Sequence, residues 1–336
     1  FGAFNLTSIP KINVLSTSFK EDFYTRMENN FFSGVGGISI YSSKEKGRFK
    51  FRLGIQSYFI TGDEYSNKNL YYFPDVMIAF KPENSNFAPF LNVNGEFYQN
   101  SFRSLSHSNP YVAPAIKLMS TFSPYKVELG ARSNLSQGWE FQWNLFYKSE
   151  ENRPMFRNFG KNFDINNVIS YRFGNSFEVL YPSLKNSGIR AKLRGVFKNG
   201  GRINFEAAFF NYELNNKTPQ LFEALNLPEI TLEFDGTLKI SNKIFFQLIL
   251  NYVGVRVNSY RDLFLGQNIQ DSPVLFETLN PFTRIDSNIQ YHLNERWELF
   301  LRGKNLLNQN QYFWSNYRVY PSQILLGLKY NFDVSF

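Results

Sequence analysis

The stretch Arg48–Phe59, RFKFRLGIQSYF, alternates polar and apolar side chains along its length. Its odd positions are mostly Phe, Leu and Ile, whereas its even positions include three cations, Arg48, Lys50 and Arg52. Side chains of a β-strand point alternately to the two faces of a sheet, whereas those of a helix repeat about every 3.6 residues. The stretch therefore predicts a strand with one apolar face and one basic face.

The same period of two returns along the rest of the chain. The segment Ile189–Lys198 carries Arg190, Lys192 and Arg194 on one face, and Asn199-Gly200-Gly201 turns it into a second alternating segment. Asn and Gly tolerate the positive φ of tight hairpin turns. Comparable alternation occurs at 230–240, 285–291, 297–304 and 324–336. No segment of similar length shows apolar residues at helical spacing instead.

Composition narrows the class of protein. The 336 residues include 38 Phe, 20 Tyr and 4 Trp but no Cys, and the mean hydropathy is -0.34. A disordered chain lacks so many aromatic residues, and a transmembrane helix needs about 20 consecutive apolar residues, a run that this sequence does not contain. Without cysteine, disulfide scaffolds, thiolate catalysis and Cys-ligated metals are excluded.

The predicted strands are long enough to cross a bilayer. Segments of about 10 to 13 alternating residues exceed the 5 to 6 of an ordinary strand and reach the 9 to 11 that a tilted membrane strand needs. Aromatic residues concentrate near the segment ends, where the girdles of membrane barrels lie, at Tyr58, Tyr71, Tyr72, Trp139, Tyr147, Tyr252 and Trp297. We therefore predict an all-β transmembrane antiparallel β-barrel in the outer membrane of a Gram-negative cell.

Short and long connections alternate strictly along the chain. Short turns fall near 43–47, 82–86, 136–138, 199–201, 241–243 and 294–295, and longer segments lie between them. In outer-membrane barrels the short turns are periplasmic and the long loops extracellular, so both termini are expected in the periplasm. This gives one barrel over 1–336 with about 14 strands, or 16 if 168–181 forms a further membrane hairpin, and no plug domain.

The last segment strengthens this prediction. Leu328, Tyr330, Phe332 and the final Phe336 fall on one face of the closing strand. A soluble protein gains nothing from an exposed aromatic terminus. The pattern resembles the C-terminal signal by which the barrel-assembly machinery recognises outer-membrane barrels. Since the chain begins with Phe1 and shows no signal peptide, we expect an export signal to have been removed already.

The charges predict a polar barrel interior. The net charge is +8, but the basic residues are scattered through strands and form no nucleic-acid-binding module. A cation facing lipid would cost about 2 to 4 kcal/mol at the membrane midplane, so the basic ladders Arg48, Lys50, Arg52 and Arg190, Lys192, Arg194 are expected to face the lumen. They would line an anion-preferring channel or pair with acidic residues, and the sequence leaves both open.

Little in the sequence points to catalysis or to a cofactor. The only histidines are His107 and His292, and no Ser or Asp cluster accompanies either of them. Asp63, Glu64 and Asn67 could hold calcium, although a solvated acidic turn is the simpler interpretation. We therefore expect no enzyme activity, no metal and no cofactor.

Two longer motifs stand out, one near the end of the predicted barrel and one in its first half. One is Asn305-Leu306-Leu307-Asn308, followed by Tyr312, Tyr320-Pro321 and Ser322-Gln323. The other is Asn109-Pro110-Tyr111-Val112-Ala113-Pro114 with Glu128-Leu129-Gly130 downstream. Both motifs resemble segments of the barrels of TonB-dependent receptors, in which Gly-Arg stands where this chain has Ser322-Gln323. The resemblance covers about two thirds of the chain and implies an outer-membrane barrel of this type.

The chain departs from a complete receptor in what it leaves out. It has no room for the 22 strands and N-terminal plug of such receptors, so it is more similar to plug-less relatives of the Bacteroidota type. Those relatives carry additional sequence ahead of the matching part, so N-terminal strands are expected to be missing and the complete barrel to be wider.

Three functions follow as expectations. The first is a structural or accessory subunit of a larger cell-envelope complex, in which the loop Tyr312-Phe313-Trp314 docks another outer-membrane or periplasmic protein. The second is a passive, mildly anion-preferring, porin-like channel. The third is a receptor-type uptake barrel whose plug is missing from this chain. The remaining expected partners are outer-membrane lipids, and no nucleic acid is expected.

Overall fold

A computed structural model describes most of the chain. The described residues are 5–20, 29–62, 69–83, 86–114, 116–161, 173–215, 217–218, 221–262 and 272–332. Their elements, in chain order, are β1 Asn5–Phe19, β2 Asn29–Lys46, β3 Phe49–Thr61, β4 Leu70–Phe80, β5 Phe87–Tyr98, α1 Phe102–Ser108, β6 Thr121–Ser136, β7 Trp139–Glu150, β8 Met155–Lys161, β9 Phe173–Leu180, β10 Leu184–Val196, β11 Arg202–Leu214, β12 Ile230–Lys239, β13 Ile244–Val253, β14 Arg256–Arg261, β15 Val274–Leu279, β16 Phe282–His292, β17 Trp297–Lys304, β18 Tyr312–Trp314, β19 Tyr317–Arg318 and β20 Gln323–Tyr330.

Fourteen of the strands form one sheet, which we call the main sheet. Its order is β1-β2-β3-β4-β5-β6-β7-β10-β11-β12-β13-β16-β17-β20, with neighbouring strands antiparallel wherever they pair. The predicted count of 14 is confirmed, and the alternative of 16 is wrong because β8 and β9 belong to a separate four-stranded sheet. Among the described residues, no helix is long and apolar enough to cross a membrane.

Short turns join the strands at one end of the main sheet and long connections join them at the other. We call these the turn end and the loop end. Gly138 (φ 84°) and Gly200 (φ 89°) lie in two of the short turns, where the positive φ favours glycine. The start of β1 and the end of β20 both lie at the turn end, since Asn5 faces Ser43 and Tyr330 faces Trp297.

The apolar face of the main sheet lies on the exterior. In β3, Leu53 is 60% exposed, whereas Tyr58 on the opposite face is only 6% exposed. Exposed aliphatic and aromatic side chains recur on the same face of the other strands, for example Leu129, Leu145 and Ile289. A soluble sheet buries its apolar face, so this arrangement is the inverse of a soluble fold. We call the apolar face of the main sheet the outer face and the opposite face the inner face.

The sheet curls strongly around its inner face. The amide of Asn13 in β1 donates to Gln99 just after β5, over 2.6 Å, although three strands separate β1 from β5. Four strand spacings of about 4.8 Å would hold these strands roughly 19 Å apart in a flat sheet. Curvature therefore brings the inner side chains of distant strands into contact.

A cluster of apolar side chains fills the inner face of this curled part. Its buried members are Val35, Tyr58, Ile60, Phe73 and Phe122, with Tyr71 and Phe97 packed against them. The rings of Tyr71 and Phe122 stack with centroids 4.1 Å apart. The prediction that Tyr58 and Tyr71 belong to an outer aromatic girdle is therefore wrong. The alternation around both residues correctly predicts strands, but it does not determine which face these rings occupy, because an aromatic ring suits either side of a sheet.

Two neighbouring glycines allow a matched test of this inner packing. A Cβ on Gly37 would lie 2.7 Å from the Tyr58 ring, whereas a Cβ on Gly36 would meet nothing within 4 Å. We expect Gly37→Val to lower the free energy of unfolding by about 1 to 3 kcal/mol through overpacking. Gly36→Val is the control and should be close to neutral. Urea unfolding in lipid vesicles measures both, and an equal loss in the two variants would contradict the packing described here.

Candidate functional site

The long connections fold into a second layer at the loop end. The hairpin β8–β9 follows β7, the hairpin β14–β15 follows β13, and together they form one sheet in the order β15-β14-β8-β9. A single parallel pair, Asn158 with Tyr260, joins β8 to β14. Three strands separate β7 from β13 in the main sheet, which we also call the wall. The small sheet therefore connects distant parts of the wall. We call this small sheet, α1 and the hairpin β18–β19 together the cap.

A buried ionic group holds the two hairpins of the cap together. Glu178 in β9 accepts from Nε of Arg157 over 2.5 Å and from Nε of Arg261 in β14 over 3.1 Å. All three side chains are almost completely buried. Removing Glu178 would take away a carboxylate that both guanidinium groups contact in a poorly solvated site, and such a loss is strongly destabilising. We call Arg157, Glu178 and Arg261 the ionic trio.

The segment with the Asn-Pro motif joins the cap from the opposite part of the wall. Val112 pairs in parallel with Phe177 of β9, and the Tyr111 ring stacks on Tyr317 of β19 at a centroid distance of 3.3 Å. Tyr111 lies in the connection between β5 and β6, and Tyr317 lies in the connection between β17 and β20. Even β6 and β17 have six strands between them in the main sheet. Seven strand spacings correspond to roughly 34 Å in a flat sheet, so the connections reach each other across the inner side.

The cap has an apolar core of its own. Its buried members are Leu105, Val112, Ala113, Ile116, Leu118, Phe156, Phe159 and Phe177. Trp314 packs edge-on against Phe156 and Phe177, with centroids 5.2 Å and 5.4 Å apart. Within the predicted docking loop, Trp314 therefore anchors the cap, while Tyr312 and Phe313 remain exposed on the surface. Docking by this loop stays a prediction.

Arg256 in β14 fastens the loop that contains Trp314. Its guanidinium donates to the carbonyl oxygens of Tyr312 and Phe313 over 2.6 Å and 2.7 Å, and it lies over the Phe282 ring. Burial lowers the pKa of Arg256 to about 10, so the side chain remains charged at neutral pH. Charged hydrogen bonds of this kind fix a loop more firmly than neutral ones.

The two resemblance motifs have structural roles here. Asn305 and Asn308 adopt positive φ values of 48° and 47°, and the Asn305 amide donates to the carbonyl of Tyr320. Asn308 accepts from the backbone N–H of Ser322. Asn109 is fully buried, and its side chain accepts from the N–H of Tyr111. These residues shape the connections that build the cap.

A cavity of about 390 Å³ lies below the cap. Its apolar lining consists of Leu105, Pro154, Met155, Phe156, Leu225, Leu227 and Trp314, and the rest of the lining is polar. The polar residues that line it are Tyr98, Asn100, Ser104, Ser108, Thr121, Lys148, Glu150, Arg153 and Asn226. Pockets of this size with a few polar groups are typical small-molecule sites.

Ion pairs run along the polar wall of the cavity. Lys148 contacts Glu96 over 3.0 Å and Glu150 over 3.1 Å, and Arg153 contacts Glu150 over 2.9 Å. Within the described part of the chain, the buried Oδ1 of Asn226, a residue that lines the cavity, has no hydrogen-bond partner. The lining thus combines the guanidinium of Arg153 with carboxylate, amide and apolar groups.

The two basic ladders are largely paired within the wall. Their ion pairs are Arg48–Glu83, Lys50–Glu45, Arg52–Asp75, Arg190–Glu206 and Lys192–Glu206, at 2.8 to 3.1 Å. In the described residues only Arg194 of the six has no ion pair, and it lines a shallow recess of about 310 Å³ with Glu233 and Asp235. The pairs join neighbouring strands or turns and do not cross the interior. Most of the ladder charge is thereby neutralised locally.

The other candidate residues lie apart from the cavity's polar wall. His107 is in the last turn of α1, and His292 ends β16 with its ring edge-on to Phe245. In the described part of the chain, no three His, Cys, Asp or Glu residues are grouped to hold a metal. Asp63, Glu64 and Asn67 lie outside the described residues. Of the predicted C-terminal signal, Leu328 and Phe332 are exposed and Tyr330 packs on Trp297, whereas Phe336 is outside the described residues.

Comparison with known proteins places this geometry in a known fold. No protein-family model and no curated protein matches the sequence. The structure matches the pyoverdine outer membrane receptor FpvA of Pseudomonas aeruginosa PAO1 with a TM-score of 0.63 and 11% identity, over 92% of this chain and 43% of that one. The chain has the fold of an outer-membrane receptor β-barrel.

Two further structures support this assignment of the fold. The FrpB iron transporter from Neisseria meningitidis matches with a TM-score of 0.61 and 13% identity, over 90% of this chain and 46% of that one. The siderophore receptor PirA from Acinetobacter baumannii matches with a TM-score of 0.62 and 12% identity, over 97% and 55%. The chain thus spans about half the length of these proteins. These structures are of receptors and a transporter.

The sequence predictions missed the cap. Of its key side chains, Arg157 and Arg261 lie in segments that the sequence assigns to long connections, and Glu178 lies in 168–181, for which the sequence leaves an extracellular and a membrane hairpin open. The segments 155–161, MFRNFGK, and 173–180, FGNSFEVL, do not alternate strictly, so β8 and β9 leave only a weak signal in the sequence, and nothing in it indicates that they lie outside the main sheet. Pairing between β8 and β14 joins residues about a hundred positions apart and leaves no local pattern.

Proposed function

We propose that the chain forms the wall and the cap of a receptor-type outer-membrane barrel. This barrel takes up a ligand through its loop end, which is extracellular. The observation that carries this proposal is the cap, in which connections from distant strands meet over a cavity of about 390 Å³. Its support is threefold: the outward apolar face, the fold of outer-membrane receptors and the location of the start of β1 and the end of β20 at the same end of the main sheet. On this proposal the turn end and both termini are periplasmic.

A passive anion channel has less support. Such a channel needs an open mouth and free cations along its wall. Here the cap occupies the loop end, and the ladder cations pair with neighbouring carboxylates, leaving Arg194 without an ion pair in the described residues. The inner face also carries the aromatic cluster around Tyr58 and Phe73, which narrows the space inside.

Conductance distinguishes uptake from passive diffusion. We expect the protein, purified from native outer membranes and inserted into planar bilayers, to show no stable open conductance, because the cap and the inner cluster obstruct the path. Heat-denatured protein is the blank. Long-lived, anion-selective steps in the undenatured sample would contradict the proposal and support the channel.

Uptake can be tested by locking the cap. The chain has no cysteine, so Asn158→Cys with Tyr260→Cys places a single pair across the junction of β8 and β14. Since the similar structures are of iron transporters and siderophore receptors, the probe is a panel of ⁵⁵Fe-siderophores offered to cells with and without the gene. We expect gene-dependent uptake that falls when the disulfide forms and returns with reductant.

Each single-cysteine variant controls for the substitutions alone. Uptake that is unchanged by deletion of the gene would exclude ferric siderophores as ligands. Gene-dependent uptake that the disulfide leaves unaffected would contradict entry through the cap.

An accessory role in an envelope complex is the second candidate. The observation in its favour is the exposure of Tyr312 and Phe313, about 43% each, beside the anchored Trp314. Arg256 holds the backbone of this loop in place, so both rings are presented by a fixed loop. The test is native purification: a stoichiometric protein that is lost from the Tyr312→Ser, Phe313→Ser double variant supports it, and purification as a single species in both excludes it.

A further inference from the structure

Two neighbouring hairpins at the turn end carry cations without acidic partners. Lys198 and Arg202 lie at the reversal from β10 to β11, and Lys239 and Lys243 lie at the reversal from β12 to β13. Lys198, Arg202 and Lys243 are exposed, and Lys239 is half-buried. Within the described part of the chain, none of the four makes an ion pair. We call these four residues the basic patch.

The two hairpins lie side by side, so the four charges are close together. β11 pairs with β12, and Arg202 faces Thr237, which lies two residues before Lys239. Diagonal neighbours of this kind are about 7 to 8 Å apart. The side-chain amide of Asn199, in the first turn, donates to the carbonyl oxygen of Lys239 over 3.2 Å. Because the Debye length at physiological salt is about 8 Å, repulsion between these cations is only partly screened.

The basic patch has no acidic residue close to it in sequence. The segments 196–204 and 237–245 contain no Asp or Glu, and Asp235, further along β12, accepts from Gln247 over 3.1 Å. By contrast, each of the other short turns has a glutamate in it or next to it: Glu45, Glu83, Glu140 and Glu295. Most of the ladder cations are neutralised within the wall, whereas the basic patch keeps its charge and is complementary to an anionic partner.

The two faces of the strands decide which kind of anion the basic patch can meet. Leu238 and Ile240 are 45% and 66% exposed on the outer face, which faces lipid in the proposed membrane wall. Lys239 lies between them in sequence and Arg202 faces Thr237, so both cations belong to the inner face. The patch is therefore directed to the aqueous side of the turn end and away from the surrounding lipid headgroups.

We infer that the basic patch docks an acidic segment of another protein at the turn end, which is the periplasmic end in the orientation proposed above. Carboxylates bind lysine and arginine, and arginine can hold one carboxylate with two parallel hydrogen bonds. An extended segment rises about 3.3 Å per residue, so every second side chain is about 7 Å from the last. This spacing matches that of Arg202 and Lys239. The docked segment therefore carries Asp or Glu at alternate positions.

Binding of a labelled acidic peptide tests the inference. The probe is a fluorescein-labelled Glu-Ser repeat, added to the purified protein in phosphatidylcholine nanodiscs and followed by fluorescence anisotropy. The test variant combines Lys198→Gln, Arg202→Gln, Lys239→Gln and Lys243→Gln. The matched control combines Lys44→Gln, Lys46→Gln, Arg48→Gln and Lys50→Gln, which removes the same charge from another turn at the same end. We expect the dissociation constant to rise about tenfold or more in the test variant and less than about twofold in the control.

Urea unfolding checks that the test variant is folded and that the four cations repel each other. Since none of them has an acidic partner to lose, the urea midpoint of the test variant should equal or exceed that of the wild type. A lower midpoint would mean that the fold uses these charges, which would contradict the inference.

Four binding results would overturn the inference. They are absence of peptide binding to the wild type, equal weakening in the two variants, loss of binding in phosphatidylglycerol nanodiscs, and displacement by inorganic phosphate at constant ionic strength. The second would show an effect of net charge, the third would assign the patch to lipid headgroups, and the fourth would assign it to small anions. Peptide binding involves no uptake, so its failure is distinguishable from failure of the proposed function.

Discussion

Glu178→Ala is expected to open the cap while leaving the main sheet folded. The substitution leaves Arg157 and Arg261 buried without the carboxylate that both contact. Breaking a buried ion pair from one side costs about 3 to 5 kcal/mol. Because about 1.4 kcal/mol corresponds to a factor of ten, hydrogen exchange of amides in β8, β9 and β14 should accelerate by two to nearly four orders of magnitude.

A surface ion pair serves as the control for this prediction. Arg48 and Glu83 lie 3.1 Å apart in exposed turns, where a pair contributes about 1 kcal/mol or less. Glu83→Ala should therefore leave exchange in the cap unchanged. Equal exchange rates in Glu178→Ala and the wild type would show that the trio does not hold the hairpins together, and acceleration throughout the main sheet would show that the cap is not a separate unit.

Leu91→Arg is expected to have a large effect for a different reason. Leu91 lies in the middle of β5 and faces Ile78 and Leu129 on adjacent strands, both of which are exposed on the outer face. An arginine near the membrane midplane costs about 2 to 4 kcal/mol. The folded-to-unfolded ratio in lipid vesicles should fall by roughly 30- to 700-fold.

The neighbouring residue provides a matched control. Asn92 lies next in the strand and pairs with Met77 and Glu128 on the inner face. Asn92→Arg adds the same charge beside a carboxylate and should cost less than about 1 kcal/mol, as for other lumen positions. A similar loss of folding in both variants would contradict the assignment of the two faces.

Much of the wall could be predicted from the sequence because its information is local. Alternation in 48–59 and 189–209 indicates strands, and short turns such as Asn199-Gly200-Gly201 mark where they reverse. The strand count and the alternation of short and long connections followed from the same pattern. Each of these features depends on residues within about a dozen positions of each other.

The contacts between distant segments could not be predicted in this way. The junction of Asn158 with Tyr260, the stack of Tyr111 on Tyr317 and the trio around Glu178 depend on how the wall curls. The same curvature buries Tyr58 inside. The sequence left open whether Arg190 and Lys192 line a channel as free cations or pair with acidic residues. Their pairing with Glu206 depends on the register of β10 against β11, which the sequence does not determine.

The central claim is that this chain is a membrane wall with its apolar face outward. It is tested most directly by single-cysteine spin labels at successive positions of β3 from Arg52 to Ile60, in vesicles, in this chain of 336 residues, which contains no cysteine. The account predicts that collision with lipid-soluble oxygen alternates with a period of two and peaks at Leu53, Ile55, Ser57 and Phe59. Labels at these four positions that collide mainly with a water-soluble relaxant would contradict it.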